Sequence, residues 1–151
     1  MAAAIRERGR VVRLRPTGRG HTTGDQVVEV SDAGVLFTGD LAETGQCPIF
    51  PWFPPYDTDV SGVRWLAVLD RLADAGPRVV VPGHGDLGGP QVLADVRDYL
   101  RDETWRRRDS AMGEDEIVTE VRALLIERHP EWVGQDWINR GDGCPCTEHA
   151  A

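Results

Sequence analysis

Three short glycine-flanked segments hold the residues of this chain best suited to chemistry: Gly-His-Thr-Thr-Gly-Asp at 20–25, Phe-Thr-Gly-Asp at 37–40 and Pro-Gly-His-Gly at 82–85. They put His21, Asp40 and His84 on sharp loops beside apolar, strand-like runs, where metal-binding side chains usually sit. A hydrolytic zinc centre needs neutral imidazoles and carboxylates on rigid strand ends, an open coordination position and a water whose pKa is lowered to roughly 7. Taken singly, each residue has a plainer reading: His21 as a polar loop residue, Asp40 as a turn former after Gly39, His84 as a turn residue between glycines. The ordered triple is the stronger signal.

The elements that must position these residues follow from periodicity. Residues 26–30 alternate and are rich in Val, Ser31-Asp32-Ala33-Gly34 is turn chemistry, and residues 35–38 are again β-like, which predicts a hairpin with Asp40 just past its second strand. From Leu41 to Asp59 the chain reads as loop, because Pro48, Pro51, Pro54 and Pro55 exclude helix and central strand. Ser61 can cap a helix with Val63, Leu66, Leu69 and Leu72 on a helical period, ending at Gly76-Pro77. Arg78-Val79-Val80-Val81 then reads as a buried strand running straight into the His84 loop. A second helix is expected over about 90–108 with Val92, Leu93, Val96, Tyr99 and Leu100 inward, and a third over about 114–128 with acids in its first turn.

Gly-His-Thr-x-Gly-Asp, then strand-Thr-Gly-Asp, then Val-Val-Val-Pro-Gly-His-Gly resembles the C-terminal half of the metallo-β-lactamase superfamily, over roughly residues 16–105. The resemblance implies an α+β chain forming half of an αββα sandwich, with a hairpin, short strands and flanking helices followed by C-terminal helices. It implies zinc as cofactor, one or two ions in the complete site, with His21 on one metal, His84 on the other and Asp40 bridging. Gly24, Gly39, Gly83 and Gly85 would let the backbone turn beside the metals, Thr22 would hydrogen-bond these turns, and Asp25 would orient the site or serve as a hairpin-entry residue. Trp52, Phe53 and Tyr56, in the Pro-rich segment, would form an apolar substrate wall or pack against the other half.

The implied function is a metal-dependent hydrolase acting on a small ester, thioester, lactone or amide through a metal-bound hydroxide. The family's upstream His-x-His-x-Asp-His run does not occur in these residues, which leaves two protein ligands per metal against the three typical of a catalytic zinc. Activity is therefore expected to need an N-terminal half or a complementing chain. The alternative is a catalytically silent fragment or a binding subunit that completes another chain.

Composition narrows the partners. The 25 acidic and 17 basic residues give a net charge of −8, which argues against nucleic acid and anionic membrane, and the absence of a long apolar run suggests a cytoplasmic protein; the small-molecule substrate is what the resemblance implies. Residues 1–15 are Arg-rich without the order of a transit peptide and read as an irregular N-terminus, residues 16–110 as the family-like domain, and 111–151 as a helical appendage and tail. Cys144, Cys146 and His149 fall short of a structural zinc set.

Overall fold

The computed structural model describes residues 3–48, 61–109 and 114–135. Five strands form one sheet in sequence order: β1 (Ala3–Glu7), β2 (Arg10–Pro16), β3 (Gln26–Val30), β4 (Val35–Glu43) and β5 (Val79–His84). The first four are antiparallel neighbours, and β5 joins β4 in parallel. The parallel step needs a crossover, and α1 (Gly62–Asp74) lies on it. Two further helices follow, α2 (Gln91–Asp109) and α3 (Glu114–Arg128). The chain is thus an α+β fold, with the hairpin, helices and Val-rich strand where their periodicities put them, but β5 is buried on one face only: Val80 is buried while Val79 and Val81 are half-buried.

Local chemistry explains the start of α1. The Ser61 side chain accepts a hydrogen bond from the Arg64 amide at 3.1 Å, satisfying one of the otherwise unpaired first-turn donors. The turn between β3 and β4 is a short 3-10 segment, Ser31–Ala33.

Among the described residues, the core lies on one face of the sheet. Val27, Leu36 and Val80 on that face are buried together with Trp65, Val68, Leu69 and Leu72 of α1 and Val92, Leu93, Val96, Tyr99 and Leu100 of α2. The register pairs Leu14 with Val28, Val28 with Phe37 and Phe37 with Val81, a lateral apolar row on the opposite face. Phe37 there is 42% exposed, and Leu14, Val28 and Val81 are half-buried. At the sheet edge Ile5, opposite Val12, is also exposed.

Two expectations need correction. The N-terminal stretch is not irregular: β1 and β2 form a hairpin, and β2 is tied to β3 by the Arg15–Glu29 ion pair, in which Arg15 Nε donates at 3.0 Å. Alternation of Val12 and Leu14 with arginines is a half-exposed strand pattern that the arginine content hides. The segment after Asp40 is also not loop from Leu41 onward, since β4 continues to Glu43, with Leu41, Ala42 and Glu43 all buried. The strand survives there because β5 extends alongside, pairing His84 with Glu43 across register irregularities on either side of Gly39, which has φ +55°.

Residues 129–135 fold back on the body. Val133 pairs with Gln46, its amide donating to Gly45 O and its carbonyl accepting from the Cys47 amide, both at 3.0 Å. Trp132 stacks on His129 with ring centroids 3.8 Å apart and lies against Tyr99 of α2. No helix among the described residues is long and apolar enough to cross a membrane.

Candidate metal centre

The parallel ends of β4 and β5 bring Asp40 and His84 together, His84 Nε2 lying 3.5 Å from Asp40 Oδ1. Both side chains are about half exposed, so the pair opens to solvent. The approach depends on Gly83: a Cβ at that position would stand 2.7 Å from the carbonyl carbon of Gly39, 2.8 Å from the amide nitrogen of Asp40, and against Asp40 Oδ1. Thr38, buried beside them, donates to Val81 O at 3.3 Å and ties the two strands just before they reach the site. Gly39 and Gly85 both take positive φ, 55° and 82°, whereas a side chain at Gly24 would meet nothing within 4 Å.

A third acid completes the cluster. Asp40, Glu43 and His84 each offer a donor atom, and these atoms lie within 4.8 Å of one another. Glu43 is 4% exposed, and its Oε2 has no hydrogen-bond partner. Burial raises its pKa above the ordinary carboxylate value of 4.5, while a hydrogen bond from Gln46 and the nearby His84 pull it down and the Asp40 charge pushes it up. Glu43 escapes the sequence reading because the Pro-rich composition makes the whole stretch after Asp40 read as loop; the signal available is a lone acid directly following Leu41-Ala42.

His21 lies outside that three-residue group. Its ring packs edge-on against Trp65 of α1, with centroids 5.3 Å apart. Trp65 Nε1 in turn donates to the Leu41 carbonyl at 3.0 Å, so the His21 loop and the strand segment following Asp40 are held by the same indole. The loop is closed by Asp25, whose carboxylate accepts from the Thr22 amide at 2.9 and 3.0 Å and from Thr22 Oγ1 at 2.6 Å. Arg71 of α1 donates to Thr17 O at 2.8 Å at the loop's start. Gly20 makes the close approach possible: a Cβ there would stand 2.9 Å from Asp25 Oδ2 and against Leu41. Trp52, Phe53 and Tyr56, and the tail residues Cys144, Cys146 and His149, lie outside the described residues.

An imidazole and two carboxylates on adjoining strand ends, one carboxylate buried with an oxygen unserved, form a donor set that suits a divalent cation such as zinc. The sequence profile of the metallo-beta-lactamase superfamily matches residues 4–84, more than half of the chain. The chain belongs to the metallo-β-lactamase superfamily. The matched segment begins in β1, so the Arg-rich hairpin is part of the family-like region.

Among curated relatives, a type 2 metallo-beta-lactamase from Bacteroides fragilis is 32% identical over 85 residues, spanning 55% of this chain and 32% of that protein. Among solved structures, a metallo-beta-lactamase from Pontibacter korlensis superposes with a TM-score of 0.57 at 24% identity, covering 67% of this chain and 46% of the other. A metallo-beta-lactamase family protein from Thermus thermophilus superposes at 0.59 with 22% identity, covering 79% and 40%. The chain thus spans a third to a half of the length of these relatives, and the structural likeness at this identity establishes the fold.

Proposed function

We propose that this chain is part of a metal-dependent hydrolase acting on a small ester, thioester, lactone or amide. The observation carrying this reading is the convergence of Asp40 and His84 at 3.5 Å on the open end of the β4–β5 pair. Asp40, His84 and, by family resemblance, His21 would hold zinc, the metal the superfamily typically uses. Bound there, zinc would polarise the scissile carbonyl and lower the pKa of a water.

The chain's own residues have definable tasks. Asp25 and Thr22 hold the backbone beside His21 in one conformation. Trp65 supports the His21 ring on one side and the Leu41 carbonyl on the other, which fixes both relative to α1. Gly83 keeps β5 close enough to β4 for His84 and Asp40 to act as a unit.

The second reading, a subunit or fragment that completes another chain, draws on the apolar row Leu14, Val28, Phe37 and Val81 on the sheet face away from the helices. The two readings combine if the complementing segment carries the family's His-x-His-x-Asp-His run, either in the same polypeptide or in another one. A cytoplasmic setting with a small-molecule substrate, and no nucleic-acid or membrane partner, agrees with the net charge of −8.

The test is chelator-sensitive hydrolysis of an ester, thioester, lactone and amide panel by this chain together with such a segment, compared with His84→Ala. Hydrolysis that persists after chelation and in His84→Ala would refute the metal-dependent reading.

A further inference from the structure

One buried polar atom of the site has no role in the two-histidine, one-aspartate set. Glu43 Oε2 is buried with no hydrogen-bond partner, in a side chain otherwise served by Gln46. Leaving a buried carboxylate oxygen unserved is costly, so native structures normally supply a donor or a cation. Residues three apart on a regular strand point to opposite faces, which would separate Asp40 from Glu43. The register irregularity between Gly39 and Glu43 breaks that alternation, and the donor atoms of Asp40, Glu43 and His84 come within 4.8 Å.

From this geometry we infer that Glu43 is the third protein ligand of a single divalent cation held with Asp40 and His84. The inference rests on the metal-dependent reading above and extends it, because it raises the ligand count for this ion from two to three within the chain. Three protein donors are the number that fixes a catalytic zinc while leaving a position open. Two carboxylate oxygens and one imidazole nitrogen are a hard-to-borderline donor set, which suits a divalent cation such as Zn²⁺ or Co²⁺ and disfavours a soft ion such as Cu⁺. The supporting shell is built: Gln46 hydrogen-bonds Glu43, and Gly45, Gln46 and Cys47 are held in place by Val133. The chain should therefore bind one ion before any complementing segment arrives.

The test titrates the chelator-stripped chain with Zn²⁺ against a chromophoric competitor and records the visible spectrum of the Co²⁺ form. One ion per chain is expected, with affinity at least about 10-fold weaker in Glu43→Gln and an altered Co²⁺ spectrum. The metal-free Glu43→Gln chain should melt at or above the wild-type temperature, since it no longer buries an unserved carboxylate, and this separates ligand loss from misfolding. Should Glu43→Gln fail to fold, Glu43→Asp keeps the charge but shortens the reach, and it too should bind more weakly. Wild-type affinity in the folded Glu43 variant, with binding abolished in His84→Ala, overturns the inference and leaves the proposed function standing. Binding insensitive to both Asp40→Ala and His84→Ala overturns the proposed site itself. A wild-type chain that binds no ion overturns the inference, and the proposed function is then decided by the activity test with the complementing segment.

Discussion

His84 Nε2 reaches 3.5 Å from Asp40 Oδ1 across a strand pair held so close that position 83 has room only for a hydrogen. Gly83→Ala should therefore force β5 away from β4 or displace the Asp40 side chain. Overpacking of this kind costs roughly 1–3 kcal/mol. Gly39→Ala meets no atom within 4 Å and suffers only from its positive φ, a penalty of about 1–2 kcal/mol. The discriminating measurement is metal affinity at matched stability: Gly83→Ala should weaken Zn²⁺ binding at least about 10-fold, Gly39→Ala much less. Equal affinities would mean that the close approach is irrelevant to the site.

Much of this arrangement was legible in the sequence because it is local. The Val-rich alternation over 26–30, the Ser61 cap and the helical period through Val92, Val96 and Leu100 each specify an element from neighbouring residues alone, and each is present. His84 follows because it ends β5, whereas Asp40, expected just past a strand, lies inside β4, three residues before its end at Glu43. What escaped depends on pairing at a distance. Glu43 is strand only because β5 runs beside it, and β1 and β2 are strands because they extend the sheet from β3 outward. The return of Val133 to Gly45 and Cys47 likewise spans most of the chain and leaves no periodic mark.

Partial burial of His129, stacked on Trp132, should make the return segment pH-sensitive. Burial lowers the His129 pKa below its ordinary 6.5; Asp95 opposes this, Arg128 adds to it, and Asp102 opposes it again. The unfolded chain therefore binds the proton more readily than the folded one. The stabilisation from neutral His129 is complete above about pH 6.5 and is lost as pH falls from there through the lowered folded-state pKa. Thermal melts from pH 7.5 down to 5 should decline more steeply for wild type than for His129→Gln. Parallel declines would remove His129 from the account.

The open sheet face should bind an apolar-surface dye. Phe37 sits at its centre, 42% exposed between Val28 and Val81, on the side away from the helices. Replacing it with Thr keeps a good strand former, β-branched in place of aromatic, while removing most of the apolar area, so dye fluorescence should fall by about half with little loss of stability. An unchanged dye signal would locate the exposed apolar surface elsewhere.

The largest effect should come from supplying a segment with the His-x-His-x-Asp-His run, in the same polypeptide or as a separate one. Asp40, Glu43 and His84 provide three donors for one ion, while His21 stands apart on Trp65, outside that cluster. A second ion, or a site that includes His21, needs further imidazoles at the open end of the sheet. In the complemented protein His21→Ala, Asp40→Ala and His84→Ala should each lower metal content and thioester or ester hydrolysis at least about 10-fold. Asp25→Ala should cost less, because Asp25 acts through the Thr22 backbone and hydroxyl rather than on the metal. If His21→Ala alone leaves both metal content and turnover at wild-type levels, His21 is a loop residue packed on Trp65, and the metal site is built from Asp40, Glu43, His84 and the supplied histidines.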